Sequence, residues 1–315
     1  VHFRHVPREL HRSVTFLTDD YLPEDRPRVI RRADILAHNP SNVSPHFIFH
    51  SAYCCSTLLA RAMDVDGMAM GLKEPVILND LVGWRRRGGE ARQVSERLHD
   101  ALLLLARPFG PGEGVVIKPS NTVNGMADAM LTMRPESRAL FLYAPLSSYL
   151  RSIARKDMWG RLWVRKLLIG QMKDNFANLG FSNEDYFGLT DLQVAAIGWL
   201  NQHHLFHRLV RKFGANRVAT LDSDTLLARP ADALAALTTL FRLPIDDDGI
   251  AAICAGPAFS RHSKSGENFT GQERRADQLD AAKVHGDEID KVEQWAAAVS
   301  TNAGLSAALG ARLIS

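Results

Sequence analysis

Short, continuous apolar runs recur along the chain. Phe47-Ile48-Phe49, Val115-Val116-Ile117, Leu140-Phe141-Leu142 and Val218-Ala219-Thr220-Leu221 all lack the polar alternation of a half-exposed strand. Runs of this kind predict strands buried on both faces, as in a parallel sheet. Met68-Ala69-Met70-Gly71-Leu72 is a fifth, less regular run. Helical patterns lie between them. Leu58, Leu59, Ala62 and Met63 share one face of a helix that ends before Gly67. Residues 90–106, 123–133, 146–157 and 160–179 also read as helices. In 190–213, Leu192, Ala196, Trp199, Phe206, Val210 and Phe213 keep close to a 3.6-residue period. Two further helices are predicted over 231–240 and 245–254. Strands alternating with helices make an α/β protein with a central parallel sheet and right-handed crossovers.

The two ends differ from the middle. Residues 1–45 are charged and carry Pro7, Pro23, Pro27, Pro40 and Pro45. They read as an irregular N-terminal arm with one short helix. The last 45 residues are alanine-rich, charged and helical in pattern. No internal repeat and no low-complexity linker interrupts the chain. The expected organisation is an arm over 1–45 and a single domain over 46–315 with a helical C-terminal segment.

Composition narrows the classes. The 315 residues are 46% hydrophobic and 23% charged, as in a soluble globular protein and unlike a disordered or collagen-like chain. Net charge is +3, and the basic residues are dispersed. The densest run, Arg85-Arg86-Arg87, reads as a solvated helix end, so no nucleic-acid partner is expected. A small basic excess also suits a pocket for a polyanionic small molecule. Cys54 and Cys55 are adjacent and Cys254 is alone, with no CxxC or zinc-type spacing. That pattern points to a reducing, cytoplasmic setting. No stretch approaches 18 uncharged apolar residues, so no membrane span is expected. The first residues lack the apolar core of a signal peptide. His203 and His207 stand four apart on a helix, but His203 falls on the apolar stripe between Trp199 and Phe206. No metal is expected.

The segment Phe47 to Arg61 carries the chemistry. A buried strand runs into a loop of small residues, and Ser56-Thr57 open an amphipathic helix. The free N–H groups of a first helical turn converge on one spot, where the helix dipole favours negative charge. In an open parallel sheet such a loop lies at the carboxyl ends of the strands, where ligands bind. It is not a Walker A loop: GxxxxGK[ST] is absent and no lysine precedes Ser56. Nor does a GxGxxG follow any predicted strand, which argues against a dinucleotide fold.

This segment resembles the sulfotransferase family, in its bacterial branch with a Cys-Cys-Ser-Thr-Leu-Leu loop. Three later segments resemble the family in the same order. They are Arg138 to Ser152, Leu221 to Pro230 with Phe241-Arg242-Leu243-Pro244, and Phe259 to Gly266. The likeness covers roughly residues 46–270. It implies a P-loop NTPase-like three-layer fold with about five parallel strands. It implies 3′-phosphoadenosine 5′-phosphosulfate (PAPS) as co-substrate. His50, Ser51, Ala52, Tyr53, Cys54, Cys55, Ser56 and Thr57 would cradle its 5′-phosphosulfate, and Ser152 and Arg261 its 3′-phosphate. The chain departs from the family pattern at several places, and Ser152 lies one residue beyond the usual spacing. Tyr53 replaces a basic residue, Cys55 a glycine and Tyr143 an arginine.

The resemblance also suggests two catalytic residues. Glu74, in Gly71-Leu72-Lys73-Glu74-Pro75, is the candidate base; the alternative is a carboxylate capping the helix that begins near Pro75. Lys118, ending the third run, is the candidate that stabilises the transferring sulfuryl group; the alternative is a surface lysine at a strand end. Lys73 reads as a salt-bridge partner of Glu74. His50 either orients the loop or is a buried, hydrogen-bonded histidine. The cysteine pair suits the loop by its small size more than as a nucleophile. Trp159 and Trp163 either pack in the core or border a substrate opening.

The expected function is sulfuryl transfer from PAPS to a hydroxyl or amine of a small-molecule or glycan acceptor. Two other readings stand beside it. One is an atypical P-loop nucleotide kinase or phosphotransferase; the other is a non-catalytic nucleotide-binding protein of the same fold. The acceptor and the oligomeric state are not legible in the chain.

Overall fold

The computed structural model describes residues 1–38, 43–176, 179–260, 271–305 and 308–314, with the side chains of 271–283 excepted. In chain order the first elements are β1 (His2–Phe3), α1 (Arg8–Ser13), β2 (Arg28–Val29), α2 (Arg32–His38), β3 (His46–His50) and α3 (Ser56–Ala62). Next come β4 (Ala69–Lys73), α4 (Val76–Arg86), α5 (Ala91–Leu105), β5 (Gly114–Lys118), a 3₁₀ turn (Asn121–Met126) and α6 (Ala127–Met133). Then follow β6 (Ala139–Tyr143), α7 (Leu146–Ala154), α8 (Asp157–Lys173), α9 (Asn183–Gly188) and α10 (Asp191–Phe213). The chain ends with β7 (Val218–Asp222), α11 (Ser223–Ala228), α12 (Pro230–Phe241), α13 (Asp247–Ala255), α14 (Pro257–Ser260) and α15 (Gly271–Asn302).

The protein is α/β with a five-stranded parallel sheet, as the apolar runs predict. All five runs are strands, the less regular one included. Its contacts gather into two units. The first comprises Val1–Phe49, Ser56–Ala139 and Thr238–Glu267; the second comprises His50–Cys55, Leu140–Leu237 and Asn268–Ser315.

In the first unit β4, β5 and β3 lie side by side. The register sets Phe47 against Ile117, and Lys73 against Lys118 at the carboxyl ends of β4 and β5. Phe47, Ile48, Phe49, Val115, Val116 and Ile117 are fully buried, which is why their strands carry no polar alternation. Helix α3 approaches β4 closely at Gly71, where an added Cβ would lie 2.2 Å from the Ala60 carbonyl oxygen. The N-terminal arm is more ordered than its prolines suggest. It holds two short helices and an antiparallel ribbon pairing His2 with Val29. Two-residue strands are too short to leave a periodic signal.

In the second unit β6 and β7 are neighbours. Helix α10 is the best specified. Thr190 caps it by accepting from the Gln193 N–H at 3.3 Å, and Gln193 Oε1 accepts in turn from the Thr190 N–H at 2.9 Å. Gly214, with φ 80°, ends it. The predicted helices 146–157 and 160–179 meet at a corner where Asp157 takes φ 47°. The C-terminal segment is not helical throughout. After α15 the chain returns to β7, where the Thr220 N–H donates to the Ala311 carbonyl at 2.9 Å and the Leu313 N–H to the Thr220 carbonyl at 2.8 Å. This pairing covers polar groups along β7.

Candidate active site

The loop His50–Cys55 belongs to the second unit, and its backbone is unusual. Ala52, Tyr53 and Cys55 have φ of 76°, 52° and 63°, the left-handed region that side chains disfavour. Left-handed residues in a tight loop turn backbone N–H groups toward a common centre, an arrangement that suits an anion. Four contacts hold this conformation. The Ser51 N–H donates to the Leu142 carbonyl at 3.1 Å, and Ser51 Oγ accepts from the Ala144 N–H at 3.2 Å. The Cys54 thiol donates to the same Leu142 carbonyl at 3.2 Å. His50 Nδ1 accepts from the Ala52 N–H at 3.1 Å, which ties the histidine to its own loop. The end of β6 is fixed in turn by Trp199, whose indole N–H donates to the Ala144 carbonyl at 2.9 Å.

These bonds divide the predicted site residues. Ser51 and Cys54 are fully buried and occupied in holding the loop. A buried thiol that donates to a carbonyl is not poised as a nucleophile. Tyr53 leans on Tyr149 and on Trp163, with ring centroids 6.1 Å and 5.5 Å away. Burial pushes its phenol up to about 12, so it stays a neutral O–H donor through the ordinary pH range. Ser56 and Thr57 follow directly in the chain as the first residues of α3, and both are buried.

The first unit contributes Lys73, Glu74 and Lys118. Both lysines are 1% exposed. Glu74 takes φ 53°, and its N–H donates to the Lys118 carbonyl at 2.7 Å. Lys118 Nζ pairs with Glu74 Oε1 and also lies 5.0 Å from the centre of the Phe16 ring. The surface-lysine alternative for Lys118 therefore fails. So does the reading of Lys73 as a partner of Glu74. Lys73 Nζ donates to the carbonyls of His11, Arg12 and Val14 at 2.6, 3.1 and 2.7 Å. Burial, with the Arg61 charge nearby, lowers its pKa to about 7.

The arm residues that meet this cluster were not readable as functional. The Leu17 N–H donates to the Lys73 carbonyl at 2.7 Å, and the Val76 N–H donates to the Leu17 carbonyl at 3.1 Å. Residues 11–17 thus run past the carboxyl end of β4, bringing Phe16 over Lys118. Nothing local marks them. The only sequence signal is that two lysines end buried strands and need partners.

The remaining predicted residues fall as follows. Ser152 lies on α7, half-buried, with its hydroxyl donating to the Ser148 carbonyl at 2.8 Å. Tyr143 ends β6 and is raised in pKa by burial and by Asp222. Arg261, with the segment 261–266 around it, lies outside the described residues. His203 is a core residue: it is buried, stacked on Trp199, and burial lowers its pKa to about 3. Trp159 is 61% exposed and does not pack in the core. Arg85 and Arg86 are not simply solvated. They donate to the carbonyls of Gly125 at 3.0 Å and Thr122 at 3.4 Å, holding the 3₁₀ turn.

The arrangement offers two kinds of chemistry, each within its own unit. One is a strained loop suited to an anion. The other is a carboxylate beside a buried ammonium, able to accept a proton and to stabilise negative charge. No family model and no curated protein matches the chain. Among solved structures it aligns with a sulfotransferase domain from the curacin biosynthetic pathway, at 12% identity over 84% of this chain and 99% of that one, with a TM-score of 0.48. It also aligns with the sulfotransferase STF9 from Mycobacterium avium, at 12% identity over 73% of this chain and 63% of that one, with a TM-score of 0.36. A functional assignment therefore has to stand on the chain's own residues.

Proposed function

We propose that the protein is a sulfotransferase that moves a sulfuryl group from PAPS to a hydroxyl or amine of a small-molecule or glycan acceptor. The observation that carries this reading is the loop after β3. It has three left-handed residues, is held by β6, and is followed at once by Ser56 and Thr57. Such a loop suits a phosphosulfate without the lysine that nucleoside-triphosphate chemistry requires. Backbone N–H groups of Tyr53 to Cys55 and the hydroxyls of Ser56 and Thr57 bind the 5′-phosphosulfate, while the Ala52 N–H stays on His50. Tyr53 donates a neutral O–H where a cation would otherwise stand. Ser152 and Arg261 bind the 3′-phosphate.

In the transfer step the acceptor oxygen attacks sulfur in line. The new O–S bond forms as the bond from sulfur to the bridging phosphate oxygen breaks. Glu74 takes the acceptor proton, and Lys118 offsets charge on the sulfuryl oxygens. Adenosine 3′,5′-bisphosphate leaves with the electron pair. The Glu74–Lys118 pair keeps the carboxylate oriented until the acceptor arrives.

The test is calorimetric titration with adenosine 3′,5′-bisphosphate, with ATP–Mg²⁺ and ADP as controls. The expected result is preferential binding of the bisphosphate, weakened by Ser56→Ala with Thr57→Ala. Preference for ATP–Mg²⁺ would favour the phosphotransferase reading. Bisphosphate binding without sulfuryl transfer to any of a panel of hydroxyl acceptors would favour the non-catalytic one.

A further inference from the structure

Lys118 is buried, yet its amine is held differently from that of its neighbour Lys73. Among the described residues, Lys118 Nζ meets one carboxylate oxygen, Glu74 Oε1, and the face of the Phe16 ring, whose centre lies 5.0 Å away. An ammonium has three N–H donors. A carbonyl in place of the ring would accept one of them, as the arm carbonyls do for Lys73. An aromatic face attracts the charge through its quadrupole without offering an oxygen lone pair. The ring therefore restrains the cation and leaves N–H donors for a ligand oxygen.

Phe16 is itself fixed in place. The next residue, Leu17, is tied to the chain on both sides of Glu74. Its N–H donates to the Lys73 carbonyl at 2.7 Å, and its carbonyl accepts from the Val76 N–H at 3.1 Å. Two residues before Phe16, the Val14 carbonyl accepts from Lys73 Nζ at 2.7 Å and from Arg61 Nη2 at 3.3 Å. Tyr21 meets the Phe16 ring edge to face, with centres 5.3 Å apart and planes at 89°. The arm is thus pinned before and after Phe16 by groups on β4, α3 and α4. One short stretch, residues 14–17, serves both members of the pair. The Leu17 backbone flanks the left-handed Glu74, and the Phe16 ring lies over Lys118.

We propose that Phe16 is a positioning residue for sulfuryl transfer: its ring holds the Lys118 ammonium against Glu74 and keeps the remaining N–H groups available to the sulfuryl oxygens. What the pair does rests on the sulfotransferase reading. How the pair is held rests on the contact alone. Because Phe16 acts through Lys118, its effect should vanish once Lys118 is gone.

Two double-mutant cycles with Phe16→Leu and Lys118→Met test this, since leucine keeps an apolar cover and removes the aromatic face. In denaturant unfolding, Phe16→Leu should lower the folding equilibrium constant about tenfold more in the wild type than in Lys118→Met. In a sulfuryl-transfer assay, Phe16→Leu should lower kcat about tenfold and leave the KM for PAPS and the bisphosphate affinity within about threefold. The same change made in Lys118→Met should leave the residual rate where it is. Phe16→Tyr, which restores an aromatic face, should return kcat to within about threefold of the wild type. Additive stability losses would overturn the proposal, because the ring would then not hold the ammonium. So would an unchanged kcat in Phe16→Leu, or an equal loss of rate in the Lys118→Met background. A wild type that transfers no sulfuryl group to any acceptor would bring down the sulfotransferase reading instead, and the stability cycle would still decide whether Phe16 holds Lys118.

Discussion

Lys73 and Lys118 end adjacent parallel strands, stand opposite each other in register, and are equally buried. Their partners differ. Lys73 spends all three ammonium protons on backbone carbonyls of the arm. Lys118 meets one carboxylate and the face of an aromatic ring. A ring of carbonyls is a fixed structural answer to a buried amine. A carboxylate that a substrate can engage is a conditional one. Burial alone therefore does not tell a structural lysine from a chemical one; the partner does.

The sharpest way to break this contrast is at the carboxylate. Glu74→Gln should lower turnover roughly 10³-fold in a sulfuryl-transfer assay while leaving bisphosphate affinity within about threefold. An unchanged rate would remove Glu74 from the proposed chemistry. Next comes the lysine exchange. Lys73→Met removes three hydrogen bonds to arm carbonyls, of which only the Val14 carbonyl keeps a donor in Arg61, and should cost about 3 kcal/mol in denaturant unfolding. Lys118→Met should act mainly on rate, lowering it roughly 10²-fold. Equal stability losses for the two would dissolve the distinction.

The third test is pH. The folded pKa of Lys73 is lowered to about 7, whereas an exposed lysine titrates near 10.4. Between those values the unfolded chain binds the extra proton, so stability rises with pH across that window and is lower below it. Unfolding midpoints measured from pH 7 to 10 should rise in the wild type and flatten in Lys73→Met. The smallest effects concern the serines. Ser51→Ala leaves the Ala144 N–H without its acceptor and should cost about 1–2 kcal/mol of stability. Ser152→Ala should change stability by less than about 0.5 kcal/mol yet weaken bisphosphate binding about tenfold, as calorimetry would show.

Much of the sheet was legible because buried parallel strands leave a local mark. Phe47-Ile48-Phe49 has no other reason to be continuous. The loop after it was legible for a similar reason, since small residues before Ser56-Thr57 announce a strand–loop–helix junction. What resisted reading was long-range pairing. No pattern in residues 11–17 says that their carbonyls will cap a lysine some sixty positions later. Lys73 and Glu74 are neighbours in sequence, which invited pairing them. The parallel register instead gives Glu74 to Lys118. Trp159 could be read as a core residue or as the border of a substrate opening, because helix position decides exposure, and α8 turns it outward.

The arm's attachment also bears on the order of folding. Arg8 reaches Asp64 and Glu113, and Lys73 reaches back to Val14, so these contacts close loops of many tens of residues. Closing such loops early would cost chain entropy before any contact repaid it. The arm should therefore dock after β4 and β5 have paired. Arg8→Ala would then accelerate unfolding and leave the refolding rate nearly unchanged, and the arm's grip would act as a brake on the way out of the native state.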